Sequence, residues 1–332
     1  MKNKKILIIG GTGALGQTLI ERYYKTNDII IFSRDEHKHV NLKNKYKTLD
    51  VKDTIHEPAG ASSTKLKFHI GDVKDKSSIM QALNEYQPDI IINTAALKHV
   101  PVCESNPYES VKTNIIGHKN LIDCVCACQY EIETLMFIST DKACSPINVY
   151  GMCKAISEKL YVDFANKQDK IKVVLCRYGN VLESTGSVIP FFKNLLEQNT
   201  TYLPITHENM TRFLLTLDDA VNLIQWAYDH DESHGNIVVP NIKALKIVDI
   251  AKELSLHYSK DIEIRIVGIR PGEKLHESMI SMEESLRTKP YDEYFMITDE
   301  ILHSKPWTFS SDSSLMESHE TKEFLINTGI LK

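Results

Sequence analysis

A glycine-rich segment, residues 10–16 (GGTGALG), constrains the fold more than any other stretch of this chain. It follows an apolar run at residues 6–9 and opens an amphipathic stretch at residues 14–24, which predicts a strand, a tight loop and a helix in succession. Glycines at such a junction let the backbone approach a diphosphate closely, and the positive end of the helix stabilises that charge. The segment therefore predicts a dinucleotide-binding site, with contacts from Gly10, Thr12, Gly13, Leu15 and Gly16.

Short apolar runs alternate with amphipathic stretches throughout the first half, as is typical of a parallel sheet with crossover helices. The predicted fold class is α/β: a Rossmann-type doubly wound parallel sheet with a smaller mixed α/β substrate-binding lobe. Strands are predicted at residues 5–9, 29–32, 66–70, 90–93, 134–139 and 172–176, and helices at residues 14–24, 76–84, 107–128 and 149–166. Residues 37–65 are polar, and we interpret them as a surface insertion with one short helix and an excursion around residues 58–63.

The pattern after Arg177 is less regular and predicts the smaller lobe. Helices are predicted at residues 188–198, 217–229, 246–256 and 273–279, and strands at residues 237–239 and 263–267. We expect residues 1–180 to form the dinucleotide-binding domain, joined by returning segments near residues 214–240. Residues 181–332 are expected to form mainly the substrate-binding lobe.

The composition argues against several function classes. A formal net charge of -5 gives no support for nucleic-acid binding, and no basic run suggests a membrane surface. The apolar run at residues 6–9 is too short for a signal or membrane segment, so we expect a cytoplasmic protein. Seven cysteines without paired motifs fit reduced thiols, and no metal site is expected. His37 and His39 lie in a polar segment and are expected to be solvated.

The residues that follow the second strand address the kind of dinucleotide. Ser33 and Arg34 stand where NAD-binding chains usually carry an acid, and a hydroxyl with a guanidinium suits a 2′-phosphate better. This favours NADP, whereas Asp35, one residue further, would restore an acid and favour NAD. Later in the chain, Asp72 and Val73 are expected to border the adenine, and Ala95 and Ala96 to run beneath the ribose.

Residues 139–154 (STDKACSPINVYGMCK) concentrate acid–base groups. Tyr150 and Lys154 are spaced i, i+4, so they share one face of the predicted helix and Lys154 sits beside the phenol. A neighbouring ammonium and a cofactor cation lower the pKa of a phenol towards working pH, which makes Tyr150 a candidate base for a substrate hydroxyl. Asp141 and Lys142, at the mouth of a predicted strand, add a second acid–base pair.

With Asn114 in KTNIIG, these motifs resemble the extended short-chain dehydrogenase/reductase superfamily. A narrower resemblance, to the soluble inverting UDP-N-acetylglucosamine 4,6-dehydratases of pseudaminic acid synthesis, covers residues 6 to about 300. The blocks that carry it are AALKHVP (95–101), STDKA…PINVYGxxK (139–154), RYGNV (177–181), MTRF (210–213) and GIRPGEKLHE (268–277). It implies NADP as cofactor, a UDP-sugar as substrate and a homo-oligomer, a dimer or higher, formed through the helices at residues 107–128 and 149–166.

The resemblance implies a hydro-lyase reaction without net redox change. Tyr150 takes the proton of the 4-hydroxyl while the C4 hydride is lent to NADP, and Thr140 hydrogen-bonds near that hydroxyl. Lys142, as a neutral amine, removes the C5 proton, and Asp141, when protonated, donates to the departing 6-hydroxyl. The hydride then returns to C6, and C5 is reprotonated from the opposite face, which inverts that centre.

The resemblance also implies the substrate contacts. Arg212 and Arg270 are fork-shaped donors suited to diphosphate oxygens. Asn180 is expected to contact the nucleotide-sugar and Glu273 to lie on its ribose side. Lys98 and His99 are expected to line the site. Lys98 is also expected to contact the cofactor, as are Tyr150 and Lys154. Asn114 is expected to stabilise a helix bend near Lys154.

Departures from the resembling group leave alternatives open. Residues 181–188 read VLESTGSV, where Glu183 replaces a usual glycine and Thr185 a usual arginine, so the exact sugar and the assembly stay undecided. A retaining dehydratase or a nucleotide-sugar 4-epimerase shares the hydride step. An epimerase does not need the Asp141–Lys142 pair, whose presence favours elimination. A non-catalytic NADP-sensing protein is the remote alternative, because such proteins typically lose the tyrosine or lysine that this chain retains.

Overall fold

The secondary-structure elements are taken from a computed structural model, which describes residues 1–53, 66–182 and 186–331. In chain order the strands are β1 (Lys5–Ile9), β2 (Asp28–Ser33), β3 (Leu66–Ile70), β4 (Ile90–Asn93), β5 (Thr134–Ile138), β6 (Lys172–Cys176), β7 (Asn180–Val181), β8 (Tyr202–Ile205), β9 (Thr211–Leu215), β10 (Ile237–Pro240), β11 (Ala244–Lys246), β12 (Glu263–Ile266), β13 (Ser278–Ile280), β14 (Thr288–Pro290), β15 (Tyr294–Ile297) and β16 (Phe309–Ser310). The α-helices are α1 (Ala14–Tyr23), α2 (Glu36–Asp53), α3 (Lys76–Tyr86), α4 (Val100–Ser105), α5 (Pro107–Val111), α6 (Gly117–Ala127), α7 (Val149–Asn166), α8 (Val188–Glu197), α9 (Leu217–Asp229), α10 (Ile247–His257), α11 (Met282–Ser285) and α12 (Ser318–Asn327).

A nine-stranded sheet, counted over the described residues, has the order β14-β15-β10-β6-β5-β4-β1-β2-β3. The strands from β10 to β3 are parallel, whereas β15 and β14 add an antiparallel edge. The chain passes from β1 outward through β2 to β3 and then returns to β4 on the other side of β1. This strand order confirms the predicted doubly wound sheet. The switch point opens a crevice at the carboxyl ends of the strands.

Alternate side chains of the sheet supply two separate cores. Ile6 and Ile8 of β1 face the side covered by α1, α2 and α9. Leu7 and Ile9 face the opposite side, which is covered by α3, α6 and α7. Because successive strand residues point to opposite faces, the continuous apolar run of β1 is what a strand covered on both sides requires.

A third core lies in the second half of the chain. It packs α8, α10 and α12 around strands β8, β9 and β11, with Phe192, Leu203 and Leu254 fully buried. Short sheets serve this region: β11-β9-β7, and the pair β12-β8. Strand β7 begins at Asn180, four residues after the end of β6, so the region joins the large sheet directly above the crevice.

The structure corrects the prediction for the polar segment after β2. The prediction of a loop with one short helix is wrong for residues 36–53, which form the 18-residue helix α2. Its buried positions His39, Leu42 and Tyr46 are spaced as one helical stripe, but two of the three are polar or amphipathic and disguise the pattern. His39 is therefore buried rather than solvated, and its Nε2 lies 3.0 Å from Ser33 O. The predicted excursion around residues 58–63 lies outside the described residues.

Two helix predictions also need correction. Residues 273–279 are not helical, because a turn and loop lead directly into strand β13. The predicted helix at residues 107–128 is divided by a π-helical turn, Lys112–Ile116, between α5 and α6. Asn114 lies in that turn, and its side-chain amide bonds both the N–H and the carbonyl of Leu97, which agrees with the expected helix irregularity.

Candidate active site

A cleft of about 580 Å³ runs along the carboxyl ends of the strands at the switch point. Gly10 turns the chain there with φ +80, and a Cβ atom at this position would lie 2.8 Å from both Ala95 N and Thr94 Oγ1. Only glycine fits that turn without strain, so the backbone is shaped for a ligand that approaches closely. The structure brings all the predicted cofactor residues to the cleft: Gly10, Thr12, Gly13, Leu15, Gly16, Ser33, Arg34, Asp72, Val73, Ala95, Ala96, Lys98, Tyr150 and Lys154.

The outer end of the cleft carries the residues that follow β2. Ser33 is buried, and its hydroxyl lies 2.7 Å from the Thr12 hydroxyl. Asp35 accepts a bond from Lys38 N and lies 3.3 Å from Lys38 Nζ, so its carboxylate serves the first turn of α2. This backbone bond, with the Lys38 charge, lowers the pKa of Asp35. Arg34 is largely exposed, with Nη1 3.8 Å from Asp72 Oδ2.

Tyr150 and Lys154 lie one turn apart on α7, at the inner end of the cleft. Lys154 is buried, and its Nζ donates to Ile138 O at 2.5 Å and lies 4.1 Å from the Phe137 ring centroid. Burial lowers the pKa of Lys154 to about 7, although the charge of Glu158 acts in the opposite direction. The amine is thus balanced between its two protonation states at neutral pH.

The expected lowering of the Tyr150 pKa is wrong for the chain by itself. Burial raises the pKa of Tyr150 to about 12. The charge of Lys142 and a hydrogen bond with Thr140 oppose that rise, whereas Asp141 adds to it. The cation that acts on the phenol from the protein side is therefore Lys142 rather than Lys154.

The Asp141–Lys142 pair begins a 3-10 turn, Asp141–Ala143, which follows β5 after a two-residue link. Lys142 lines the cleft with 15% of its side chain exposed, whereas Asp141 is fully buried behind it. Lys142 Nζ donates to Asp141 Oδ1 at 3.0 Å, and the Thr140 hydroxyl donates to the same oxygen at 3.0 Å. The structure therefore brings the pair to the predicted place, but Lys142 and Thr140 shield Asp141 from the cleft.

The expectation that Lys142 is a neutral amine is wrong for the resting protein. Burial alone lowers the pKa of Lys142, but the charges of Asp141 and Glu277 outweigh it and hold this pKa above its ordinary value. The resting side chain is therefore an ammonium at neutral pH. It becomes a base only after it passes its proton to a neighbour.

Glu277 and Lys274 are site residues that the sequence analysis missed. Glu277 is 2% exposed, with Oε1 3.4 Å from Lys142 Nζ and Oε2 3.7 Å from Lys274 Nζ. Both belong to the block GIRPGEKLHE, which was available as a signal. No local pattern at residues 273–279 indicates the contact, because the fold alone brings Glu277 to Lys142.

Helix α7 is held against this cluster at its first turn. Asn148 caps the helix by accepting from Gly151 N at 2.8 Å, and its amide donates to Gly272 O at 2.8 Å. Lys274 Nζ reaches the carbonyl of Cys144 at 2.8 Å. The loop that carries Glu277 is thereby fixed to both the 3-10 turn and the helix that carries Tyr150.

A second cavity of about 350 Å³ adjoins the cleft and shares Asn180 and Val181 with it. The predicted substrate residues divide between the two spaces, with Lys98 and His99 in the cleft, Asn180 in both, and Arg212, Arg270 and Glu273 in the second cavity. The departures noted at Glu183 and Thr185 lie outside the described residues. The joined spaces suit a ligand that is longer than a simple sugar.

The two arginines of the second cavity have different surroundings. Arg212 is buried, and its guanidinium donates to the carbonyls of Thr211, Leu275 and Lys274 at 2.7, 3.1 and 2.8 Å. Arg270 is 66% exposed in its side chain, with Nε 3.7 Å from Glu273 Oε2. Arg212 therefore anchors the loop as well as lining the cavity, whereas Arg270 remains available to a ligand.

Neither a metal cluster nor a membrane-spanning helix is found among the described residues. Within the described ranges there is no group of three or more His, Cys, Asp or Glu side chains that could hold a metal ion. Likewise, none of the helices described is both long and apolar enough to cross a bilayer.

Comparisons with known proteins agree with this geometry. The sequence profile of a family described as "Polysaccharide biosynthesis protein" matches residues 6–299. The chain is 41% identical over 307 residues to the UDP-N-acetylglucosamine 4,6-dehydratase (inverting) of Campylobacter jejuni subsp. jejuni serotype O:23/36 (strain 81-176), covering 90% of this chain and 84% of that relative.

The chain is also similar to a relative with another printed activity and to a solved structure. A UDP-glucose 4-epimerase of Rickettsia felis (strain ATCC VR-1525 / URRWXCal2) is 39% identical over 303 residues, covering 89% of this chain and 83% of the relative. Among solved structures, Pen from Bacillus thuringiensis superimposes with a TM-score of 0.87 and 27% identity over 99% of both chains.

Proposed function

The chain belongs to the polysaccharide biosynthesis protein family, and from that premise we propose that it is an inverting UDP-N-acetylglucosamine 4,6-dehydratase, a hydro-lyase that uses a nicotinamide dinucleotide. The observation that carries the proposal is Lys142, which faces the cleft between the dinucleotide loop and the second cavity while two buried carboxylates flank it. An oxidation or epimerisation at C4 needs no such cluster. Removal of a carbon-bound proton and of a hydroxyl does.

The cleft fits a nicotinamide dinucleotide, because the Gly10 turn lets the backbone approach a diphosphate and α1 begins directly after it. When bound, the cofactor accepts a hydride from the sugar and later returns it, with no net redox change. Tyr150 would receive the proton of the 4-hydroxyl as a phenolate, after it has released its own proton to solvent, and the positive charges of Lys142 and of a bound nicotinamide would favour that form. Thr140 lies beside it and Lys154 one helical turn away. The resulting ketone acidifies the neighbouring C5 proton, which Lys142 is placed to remove.

Proton transfer within the cluster supplies both groups that the elimination needs. Lys142 passes a proton to Asp141 along their 3.0 Å hydrogen bond, which breaks an N–H bond and forms an O–H bond. The neutral amine then takes the C5 proton, and the Asp141 proton protonates the departing 6-hydroxyl, so that water leaves. Thr140, which bonds Asp141 and lines the cleft, offers the path for that proton. The pair ends in its starting protonation state.

We further propose NADP rather than NAD as the cofactor. Asp35 is engaged by the first turn of α2, so it is not free to bind the ribose hydroxyls. Arg34 and Lys38 line the outer end of the cleft and are suited to a 2′-phosphate. Calorimetric titration with each nucleotide tests this preference.

A nucleotide-sugar 4-epimerase is the second candidate, because the Rickettsia felis relative with that name is nearly as similar to this chain. A retaining dehydratase would share the whole cluster. The epimerase alternative leaves the charged group around Lys142 without a task, which is why we place it second.

Incubation of the purified protein with UDP-N-acetylglucosamine in heavy water, without added reductant, tests the function. Mass spectrometry and proton NMR should show loss of water, solvent deuterium at C5 and a coupling pattern for the inverted centre. An intact sugar with altered C4 would establish the epimerase instead, and retained C5 configuration would establish the retaining dehydratase.

Assembly and location complete the proposal. Tyr108, Ile116, Met152 and Ile156 are exposed apolar residues between positions 107 and 166, on the elements that run from α5 to α7, as a homodimer through these helices requires. Light scattering tests the dimer.

The seven cysteines are free, which fits a cytoplasmic location. They are Cys103, Cys124, Cys126, Cys128, Cys144, Cys153 and Cys176. We also retain the proposed division into a dinucleotide domain (residues 1–180 with returning segments near 214–240) and a substrate lobe (181–332).

A further inference from the structure

Four charged side chains form a buried row of alternating sign beside the cleft. In order they are Asp141, Lys142, Glu277 and Lys274, with successive closest distances of 3.0, 3.4 and 3.7 Å between nitrogen and oxygen atoms. Both carboxylates are almost inaccessible to solvent, at 0% and 2% exposure. Asp141 Oδ2 and Glu277 Oε2 are buried without a hydrogen-bond partner. Buried carboxylates are costly unless nearby cations compensate for the lost solvent, so the row acts as one electrostatic unit.

Lys142 is the member of the row that faces the cleft, and charges on several elements surround it. Asp141 precedes it in the 3-10 turn, and Glu277 approaches from the loop before β13. Arg212 of β9 opposes its positive charge, and the Lys142 charge in turn acts on the phenol of Tyr150 on α7. The amide oxygen of Asn180 lies 3.5 Å from Nζ. Burial, two anions and one guanidinium therefore act together on its proton affinity.

We propose that Glu277 is a positioning residue of the elimination, which aims Lys142 at the cleft and makes its ammonium form the resting state. The inference rests on the proposed function. Asp141 alone would hold Lys142 from one side, and the side chain could then turn towards it and away from the cleft. Glu277 attracts the same ammonium from a second element, and Lys274 in turn limits how strongly Glu277 does so.

Glu277 itself neither gains nor loses a proton in this arrangement. Lys142 transfers its proton to Asp141, takes the C5 proton as a neutral amine and becomes an ammonium again. The charge of Glu277 stabilises that ammonium before and after the transfer. It therefore helps to set the pH above which Lys142 loses its proton to solvent and the pair no longer holds a proton for the departing hydroxyl, and this pH is measurable.

The test follows water loss from UDP-N-acetylglucosamine by the holoenzyme in single turnovers between pH 7 and pH 11. Glu277→Gln keeps the shape and removes the charge, so the pKa of Lys142 falls and the falling limb of the normalised profile should move to lower pH. We expect a movement of about one pH unit, which corresponds to a tenfold change in proton affinity. Glu277→Asp keeps the charge and should keep the wild-type position of the limb, even though its maximal rate falls.

Lys274→Met provides a second, opposite test that does not depend on how well Glu277→Gln folds. Loss of this cation leaves Glu277 acting more strongly on Lys142, so the limb should move to higher pH. Glu283→Gln, an exposed substitution on α11, is the matched control and should leave the profile unchanged. Melting temperature and calorimetric binding of the UDP-sugar report folding and substrate affinity for each variant.

Opposite movements for Glu277→Gln and Lys274→Met, with Glu277→Asp at the wild-type position, support the inference. Coincident profiles for the wild type, Glu277→Gln, Glu277→Asp and Lys274→Met would overturn it, because a purely structural residue changes rates without moving the limb. Equal movement of the Asp and Gln variants would overturn it too, because the charge would then not be the cause. If the wild-type enzyme neither loses water nor incorporates deuterium at C5, the proposed function fails and this inference fails with it.

Discussion

Gly151 packs directly on the backbone carbonyl of Lys142, so closely that a Cβ atom at position 151 would overlap that oxygen. The contact joins the first turn of α7, which carries Tyr150, to the 3-10 turn that carries Asp141 and Lys142. The two acid–base pairs are therefore held at a fixed separation by backbone packing, without a side-chain bond between them.

Gly151→Ala should separate the two turns. The overlap involves backbone atoms that cannot rotate away, so we expect a loss of about 1–3 kcal/mol in the free energy of unfolding and a marked loss of water-eliminating activity. Lys159→Ala, at an exposed position on the same helix, is the control and should alter neither. Urea unfolding and the dehydration assay measure the two effects, and an active, fully stable Gly151→Ala enzyme would contradict the packing argument.

Lys142→Met should abolish water loss while it spares substrate binding. The substitution removes the group that takes the C5 proton, and acid–base groups of this kind contribute about 10²–10⁴-fold to rate. Deuterium incorporation at C5 should fall in parallel. Lys119→Met, which removes an exposed lysine on α6, serves as the control. Unchanged dehydration by Lys142→Met would remove Lys142 from the mechanism.

Lys154 should make the stability of the nucleotide-free protein depend on pH. Its pKa is lowered from 10.5 to about 7 in the folded chain, so the unfolded chain binds more protons between these two values. Stability should therefore rise with pH from about 7 towards 10.5, by at most about 1.4 kcal/mol per unit from this group.

The comparison that isolates this effect is Lys154→Met, with Lys159→Met as the exposed control on α7. Urea unfolding at pH 7, 8 and 9 should show the wild type and Lys159→Met gaining stability relative to Lys154→Met. Parallel curves for the three proteins would mean that Lys154 remains charged in the fold.

Arg34→Ala should weaken NADP binding and leave NAD binding nearly unchanged. A charge-assisted bond to a 2′-phosphate is worth about 1.5–3 kcal/mol, which predicts a loss of roughly 10- to 150-fold in affinity for NADP alone. Arg22→Ala, on α1 and paired with Asp218, is the matched control. Calorimetry with both nucleotides decides, and tighter binding of NAD by the wild type would overturn the NADP assignment.

Arg212 and Arg270 should behave differently when each is replaced by Ala. Arg270→Ala removes an exposed cation, so we expect a higher KM for the UDP-sugar with little change in stability. Arg212→Ala removes one donor from three carbonyls, of which those of Leu275 and Thr211 keep a second donor, Thr211 N and Ser311 Oγ. The carbonyl of Lys274 loses the guanidinium donor, at about 1–3 kcal/mol if it remains buried and unsatisfied. Melting curves and steady-state kinetics separate the two results, and equal effects of both variants would contradict the assigned roles.

The parts of the fold that were predictable are those whose pattern is local. The run at β1 and the glycines after it specify a strand, a turn and a helix from neighbouring residues, and α9 was predicted at its observed bounds, Leu217–Asp229. Helix α2 was missed because two residues of its buried stripe, His39 and Tyr46, carry polar groups and so break the apolar pattern. Their burial depends on contacts with distant strands.

The candidate site divides in the same way. Tyr150 and Lys154 follow from spacing alone, whereas Glu277 reaches Lys142 across 135 positions of sequence and only the folded chain brings them together. The protonation of Lys142 was wrongly expected for the same reason. A charge balance among buried groups depends on which carboxylates the fold delivers, and no local motif encodes it.

The links from Asn148 to Gly272 and from Lys274 to Cys144 have a consequence for engineering by recombination. In a chimaera whose crossover falls between residues 154 and 268, one partner of each hydrogen bond comes from each parent. The acid–base turn and the sugar-side loop are then taken from different proteins and are not matched to each other. Residues 139–154 and 268–280 should therefore be exchanged together as a single cassette. Libraries that respect this rule should yield more working hybrids than those divided at the visible border between the lobes.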